Sequence, residues 1–215
     1  MFDYQITKTS SKPVCRFIFA HGAGAGCQTP FMEDIARQLA ELGIEVWRFN
    51  FPYMQTMLQT GKRRPPEKMT ALESHFNALL DKSIRESESL PTFIGGKSMG
   101  GRVATQILDA SEARGAVVFG YPFHPPGKPE KLRTGHLETI AKPVCICQGE
   151  RDTFGTQAEV EHYPLASTIT VSFLSDGDHS LKPRKKSDAT LQDNLSNAAR
   201  TAATFMLAHS KGKTS

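Results

Sequence analysis

The sequence has few of the features that mark membrane-spanning, fibrous or disulfide-stabilised proteins. Only 4 of its 215 residues are cysteine and only 1 is tryptophan. The longest apolar run near the start, Val14–Ala20, is interrupted by Arg16 and followed by glycines, so it is too short and too polar for a signal peptide or a membrane span. We therefore expect a cytoplasmic protein with no membrane partner.

The composition is that of an ordinary globular protein. Hydrophobic residues make up 39% of the chain and charged residues 22%, which excludes the disordered, collagen-like and coiled-coil classes. Lysine and arginine number 26 against 22 acidic residues, and the net charge of +4 is too small to indicate a nucleic-acid partner. The length predicts a single domain over 1–215, with a polar tail at 210–215 that we expect to fray.

The four cysteines form the pattern of neither a disulfide framework nor a metal site. Cys15, Cys145 and Cys147 lie in apolar, strand-like runs, and no paired Cys/His motif accompanies them or Cys27. We expect free thiols in a reducing compartment, and neither a metal nor a cofactor.

Short apolar runs alternate along the chain with longer segments of helical periodicity. This alternation predicts an α/β fold with a mostly parallel sheet and helices on both faces. The runs are rich in β-branched and aromatic residues and show little polar alternation, as strands covered on both faces do. The predicted strands are Val14–Ala20, Glu45–Phe51, Thr92–Gly95, Ala116–Gly120, Val144–Gln148 and Thr168–Leu174.

Four segments carry the apolar stripe of an amphipathic helix. The first begins at Pro30, which suits the first helical turn, and stops at Gly43. The other stripes cover 69–84, 103–108 and 191–205. The proline-rich segment 121–131 is too short for an extended helical lid, so we expect an open cleft.

A glycine-rich segment supplies a candidate nucleophile, because it contains the pattern G-x-S-x-G at Gly96, Ser98 and Gly100. The pattern lies between a predicted strand and a predicted helix, where it places a serine on a sharp, strained turn called the nucleophile elbow. Glycine is needed two residues to either side, because a side chain there would collide with the strand and the helix. An ordinary glycine-rich turn is the alternative; a P-loop is not, because G-x-x-x-x-G-K-[ST] is absent.

Two later loops supply partners for Ser98. A serine hydroxyl needs an imidazole base, and the imidazole needs a carboxylate that fixes its tautomer. Asp152 and His179 each follow a predicted strand, so both are expected at the sheet edge where Ser98 lies, in the order typical of such a catalytic triad. Asp176 and Asp178 are alternative acids, although they could instead shape the turn before His179.

An oxyanion hole requires two backbone N–H donors. The amide of Met99, directly after Ser98, is the first candidate. The second is the amide of Ala23, because it lies between Gly22 and Gly24 in a loop of small residues that a ligand can approach closely. A dinucleotide site is the alternative for these glycines, but they do not form the G-x-G-x-x-G fingerprint.

Together these motifs resemble the α/β-hydrolase superfamily, especially its small, cap-poor members, the dienelactone-hydrolase-like and testis-expressed-protein-30-like proteins. The resemblance extends from about residue 16 to residue 205. It implies an α/β-hydrolase fold with little or no cap, in which Ser98 is the nucleophile, Asp152 the acid and His179 the base. Dienelactone hydrolases often carry cysteine where this chain has Ser98, so a dienelactone substrate is not implied. The motifs that carry the resemblance are His21–Gly24, Gly96–Gly101, Gly149–Asp152 and Asp176–His179.

Loops that follow the strands line the site in this fold, so their bulky side chains are candidates for contacting substrate, although they could instead pack the loops. A basic run, Lys182–Lys186, could likewise attract an anion or simply face solvent. The candidate substrate contacts are Tyr53, Met54, Phe123, His124 and Phe154.

These residues predict a serine hydrolase that cleaves small carboxylic esters or thioesters through an acyl-serine intermediate. Two alternatives stay open. The first is a non-catalytic interaction protein that keeps the fold, because fold alone does not establish turnover. The second is acyl transfer, or cleavage of an amide or carbon–carbon bond, by the same triad.

Overall fold

The computed structural model describes residues 2–87 and 89–211. The strands in these ranges are β1 Tyr4–Thr7, β2 Cys15–Ala20, β3 Ile44–Phe49, β4 Thr92–Lys97, β5 Ala116–Phe119, β6 Val144–Gly149 and β7 Ile169–Leu174. They form one sheet in the order β1-β3-β2-β4-β5-β6-β7. β1 runs antiparallel to β3, and all other neighbours are parallel, which confirms the predicted α/β-hydrolase architecture.

Helices connect the parallel strands and cover the sheet. They are α1 Pro30–Glu41, α2 Pro52–Thr60, α3 Met69–Glu86, α4 Met99–Ile107, α5 Gln157–Val160 and α6 Leu191–Ser210, with a 3₁₀ turn at Gly135–Glu138. α1 begins with Pro30 at its first turn, and the chain leaves it through Gly43, whose φ of +86° is a conformation that glycine adopts without strain. α1 packs against α6, and α3 packs against α4.

The core consists of two clusters, one on each face of the sheet. Successive residues of β2 point to opposite faces, so Phe17 and Phe19 belong to the cluster with α1 and α6, which we call the α1/α6 face. Ile18 and Ala20 belong to the cluster with α3 and α4, the α3/α4 face. Because both faces are buried, the strands need no polar alternation, which is why they appeared as continuous apolar runs.

The six predicted strands all occur, with ends displaced by one or two residues. β1 was not predicted, because it is a four-residue strand whose side chains are mostly half-buried at the sheet edge. α2 was also missed: only Tyr53 and Met54 of its nine residues are buried, so it has no long apolar stripe.

The cysteines are free and buried, as predicted. In the described part of the chain, no helix is both long enough and apolar enough to cross a membrane. The predicted frayed tail falls largely on 212–215, outside the described residues. Of the tail residues that the structure describes, Ser210 ends α6, and its buried hydroxyl donates a hydrogen bond to the carbonyl oxygen of Met206.

Candidate active site

Ser98 lies on the sharp turn between β4 and α4, with φ 50° and ψ −114°, which is a strained conformation for a residue with a side chain. The turn requires glycine at its flanks. A Cβ atom added to Gly96 would lie 2.6 Å from the carbonyl oxygen of Ala20, and one added to Gly100 would lie 2.6 Å from the carbonyl oxygens of both Ala20 and His21. The missing side chains therefore let β2 and α4 press against the turn and hold Ser98 at the carboxyl end of the sheet.

The structure brings Ser98, His179 and Asp152 into one hydrogen-bonded chain. The Nε2 atom of His179 lies 2.8 Å from Ser98 Oγ, and its Nδ1 atom lies 2.7 Å from Asp152 Oδ2. Because an ionised carboxylate only accepts hydrogen bonds, Nδ1 carries the proton and Nε2 is left to accept the serine hydroxyl. This is the tautomer that a general base needs.

Asp152 is fully buried, so its charge depends on hydrogen bonds from its surroundings. The side-chain amide of Gln148 donates to Oδ2 at 2.9 Å, and the backbone N–H of Phe154 donates to Oδ1 at 2.8 Å. With His179 added, both oxygens are held, which fixes the plane of the carboxylate.

The two alternative acids are occupied elsewhere. Asp176 forms ion pairs with Arg151 at 2.7 Å and Arg184 at 2.6 Å, which lower the pKa of its carboxyl to about 2. Asp178 Oδ1 accepts the backbone N–H groups of Ser180 and Lys182 and so shapes the turn around His179. The geometry therefore favours Asp152 as the partner of His179.

The loop that carries His179 is held from several sides. The ring of Phe154 lies against the imidazole, with centroids 4.2 Å apart. Gly120 touches the backbone of His179, and a Cβ atom there would lie 2.9 Å from its carbonyl oxygen. The buried side chain of Asn194 in α6 donates to the carbonyl oxygens of Ser175 and Leu181 on either side of the loop. The base is thus fixed by contacts to its ring and to its main chain.

His21 orients the peptide that joins Gly22 to Ala23 in the loop after β2. His21 is fully buried, and burial lowers its pKa to about 4, so the ring is neutral. Its Nε2 accepts the N–H of Phe51 at 3.1 Å, so Nδ1 carries the proton and donates to the carbonyl oxygen of Gly22 at 2.6 Å. In a trans peptide the N–H points away from the carbonyl, so this bond turns the N–H of Ala23 away from His21.

The other predicted donor, the amide of Met99, begins α4, where the first N–H groups have no partner within the helix. The positive end of the helix dipole also favours a negative charge at this point. A Cβ atom added to Gly22 would lie 3.7 Å from the Cβ atom of Ser98, so the two loops are neighbours. The amides of Met99 and Ala23 are therefore on elements that meet at Ser98.

A cleft of about 310 Å³ opens above Ser98. Apolar side chains, including Met32 and Phe154, form much of its wall beside the triad residues Ser98 and His179. Its lining residues are Gly22, Ala23, Gly24, Ala25, Thr29, Met32, Lys97, Ser98, Phe154, His179 and Ser180. A larger cleft of about 590 Å³ lies away from the triad, between β7 and α6.

Of the five side chains proposed to contact substrate, the structure places Phe154 in this cleft and buries the other four outside it. Tyr53 uses its hydroxyl to donate to the carbonyl oxygen of Ala23 at 2.9 Å, so it supports the loop that follows β2. Met54 and Phe123 belong to the core of the α3/α4 face. His124 is buried with Nε2 3.5 Å from Glu159. Tyr53 and Met54 lie in the first turn of α2, and Phe123 and His124 lie in the segment after β5; all four side chains face inward.

Several cleft residues, among them Thr29, Met32 and Lys97, were missed by sequence reasoning. Thr29 and Met32 come from the start of α1, where nothing in the sequence distinguishes a residue that faces the cleft from one that faces the core. Lys97 could have been found from the sequence, because it directly precedes Ser98 in the elbow.

In the basic run, Arg184 pairs with Asp176, and the other basic side chains, Lys182 among them, are exposed.

Known structures share the fold of this chain. A serine hydrolase without a lid from Xanthomonas campestris superposes with a TM-score of 0.74 at 17% identity, over 95% of this chain and 89% of that one. A serine hydrolase homologue from Coxiella burnetii gives 0.70 at 15% identity, over 95% and 89%. A dienelactone hydrolase from Anabaena variabilis gives 0.69 at 17% identity, over 96% and 91%. At these identities the likeness concerns the fold.

The sequence itself matches the family described as alpha/beta hydrolase domain over residues 13–207, a range that contains the elbow, the loops of Asp152 and His179 and the loop after β2. The chain therefore belongs to the alpha/beta hydrolase family.

Proposed function

We propose that this protein is a serine hydrolase that cleaves small carboxylic esters or thioesters through an acyl-serine intermediate. The observation that carries the proposal is the continuous chain from Ser98 Oγ through His179 to the buried Asp152, with bonds of 2.8 and 2.7 Å, at the floor of an open cleft. A scaffold would not require a strained serine, a tautomer-fixed histidine and a buried carboxylate to meet.

In the first half of the reaction, His179 Nε2 takes the proton of Ser98 as Oγ attacks the acyl carbon. Asp152 stabilises the imidazolium that forms, and the amides of Met99 and Ala23 hold the oxyanion. Nε2 then gives its proton to the departing alcohol or thiol, which leaves the acyl group bound to Ser98.

In the second half, water replaces the alcohol. Nε2 takes a proton from water, and the hydroxide attacks the acyl carbon. The tetrahedral intermediate collapses, the acid departs, and the proton on Nε2 returns to Ser98 Oγ. The enzyme is thereby restored.

The dimensions of the cleft support small substrates. Its volume of about 310 Å³ lies at the lower end of the range of about 300 to 1,000 Å³ in which small-molecule sites fall. Its apolar wall, formed in part by Ala23, Ala25 and Met32, suits a short hydrocarbon acyl chain.

Labelling with a fluorophosphonate tests the proposal, because the probe phosphonylates only a serine that a base activates. We expect the wild type to be labelled, and Ser98→Ala and His179→Ala to lose labelling by about 1,000-fold or more, since triad members act as a unit. Ser74→Ala, an exposed serine on α3, is the matched control and should label as the wild type does.

Esters and thioesters of increasing acyl length should then be hydrolysed by the wild type and not by Ser98→Ala. A folded wild type that neither labels nor hydrolyses any of them would contradict the proposal and favour the interaction-protein alternative. Labelling without hydrolysis would instead direct the search to acceptors other than water.

A further inference from the structure

Lys97 ties the nucleophile elbow to the loop that carries the base. It is the last residue of β4 and directly precedes Ser98. Its Nζ atom donates to the carbonyl oxygen of His179 at 3.0 Å and lies 3.2 Å from the hydroxyl of Ser180. It also lies 4.7 Å from the centre of the Phe31 ring, within cation–π distance.

This placement is costly for a lysine. Both hydrogen-bond acceptors are neutral, so no ion pair compensates for the loss of hydration. Burial accordingly lowers the pKa of Lys97 to about 8, although the charges of Asp152 and Asp178 act in the opposite direction. A lysine with no role here would keep its hydration on the surface, so this position indicates that Lys97 has a role at the site.

The reaction proposed at Ser98 indicates what this connection between the elbow and the loop of His179 could do. In the free enzyme the two loops are also joined by the hydrogen bond between Ser98 Oγ and His179 Nε2. When Oγ bonds to the acyl carbon, its proton passes through Nε2 to the leaving group, so Oγ has no hydrogen left to donate. The Ser98–His179 hydrogen bond is then absent, whereas the acceptors of Lys97 take no part in the reaction.

We propose that Lys97 is a positioning residue that holds the main chain of His179 in place while Ser98 is acylated, so that Nε2 stays directed at the incoming water. The inference rests on the proposed function, because it concerns the second half of that reaction. Small displacements of a general base are expensive: about 1 Å can cost 100-fold in rate. The step most dependent on Lys97 is therefore deacylation, in which water gives its proton to Nε2 and attacks the acyl carbon.

The test compares wild type with Lys97→Met, which keeps the hydrocarbon stem and removes the donor. With p-nitrophenyl acetate, stopped-flow absorbance measures the acylation and steady-state rates, and mass spectrometry of acid-quenched protein measures the acylated fraction. We expect deacylation to fall by about tenfold or more, acylation to fall less, and the acylated fraction at saturating substrate to rise.

Lys182→Met is the matched control, because it removes the same charge from an exposed position three residues after His179. It should leave both rates within about twofold of the wild type, since an exposed charge acts weakly through water. If Lys97→Met does not fold, as judged by its urea midpoint, Lys97→Gln replaces it, because the shorter amide stays polar but does not reach His179.

The outcomes separate the two proposals. Equal loss in both steps, or an acylated fraction that stays the same or falls, would overturn the role of Lys97 while leaving the serine hydrolase intact. A wild type that forms no acyl-enzyme and resists the fluorophosphonate would overturn the proposed function, and the role of Lys97 with it.

Discussion

Two histidines serve the site in different ways because their surroundings differ. His179 is half-buried at the cleft, with Nδ1 against the carboxylate of Asp152 and Nε2 against the hydroxyl of Ser98. His21 is fully buried between the N–H of Phe51 and the carbonyl oxygen of Gly22, where a second proton, on Nε2, would face the N–H of Phe51, donor against donor. The ring of His179 is therefore open to the cleft, and that of His21 is arranged to stay neutral.

The neutrality of His21 has a measurable effect on stability. The pKa of its ring is lowered from 6.5 to about 4 in the folded protein, so between these values the unfolded chain binds more protons. Stability must therefore fall as the pH drops through this window. From pH 7 to pH 5 the loss due to His21 is about 2 kcal/mol.

Urea unfolding of wild type and His21→Asn at pH 7 and pH 5 measures this loss. Asparagine can donate to the carbonyl oxygen of Gly22 but does not titrate, so the variant should lose about 2 kcal/mol less than the wild type over the same interval. The lowered pKa of His136 is present in both proteins and cancels in the comparison. Equal losses in the two proteins would show that His21 is not the responsible group.

At the scale of elements, the contact between β2 and α4 determines where Ser98 sits. A Cβ atom on Gly96 would lie 2.6 Å from both the carbonyl oxygen of Ala20 and the backbone nitrogen of Gly101, and backbone atoms cannot move aside as a flexible side chain can. We expect Gly96→Ala to destabilise the protein by at least about 2 kcal/mol and to abolish fluorophosphonate labelling.

Gly135→Ala provides the comparison for this prediction. A Cβ atom on Gly135 would meet nothing within 4 Å, so its urea midpoint should correspond to a change of less than about 0.5 kcal/mol and its labelling should be unaffected. If Gly96→Ala retained the urea midpoint and the labelling of the wild type, close packing at the elbow would not be what positions the serine.

The elements that sequence predicts well are those whose burial follows a simple period. Strands buried on both faces and helices with a continuous apolar stripe have such a period, so the sheet and the triad at its carboxyl edge could be anticipated. α2 lacks one, and its Tyr53 was therefore assigned to the substrate rather than to the carbonyl oxygen of Ala23. The sequence indicates that Tyr53 follows a strand of the sheet. It does not indicate whether the ring packs toward the cleft or toward the core.

At the scale of the whole molecule, the triad joins parts of the chain that are far apart. Ser98 and His179 are 81 positions apart, and the loop of His179 is held by Asn194 in α6. Contacts of such separation form late, because the intervening chain must first be ordered. The capacity to react with a fluorophosphonate should therefore return no earlier than the burial of the core.

The single tryptophan makes this order testable. Trp47 is buried in β3, so its fluorescence reports the ordering of the sheet. During refolding from urea, we expect the Trp47 signal to recover before or together with labelling in pulses of fluorophosphonate, with Ser98→Ala as the background. Labelling that returned ahead of the Trp47 signal would show that the triad forms without the sheet.

The two core clusters also divide the support of the site. The loop that carries Ala23 rests on Tyr53, which belongs to the α3/α4 face, whereas Leu181 anchors the loop of His179 in the α1/α6 face. Residues on opposite faces do not touch, so changes in one cluster should combine additively with changes in the other. During evolution, each half of the core could therefore drift in sequence and retune one part of the reaction, either charge stabilisation or proton transfer, without requiring compensating changes in the other half.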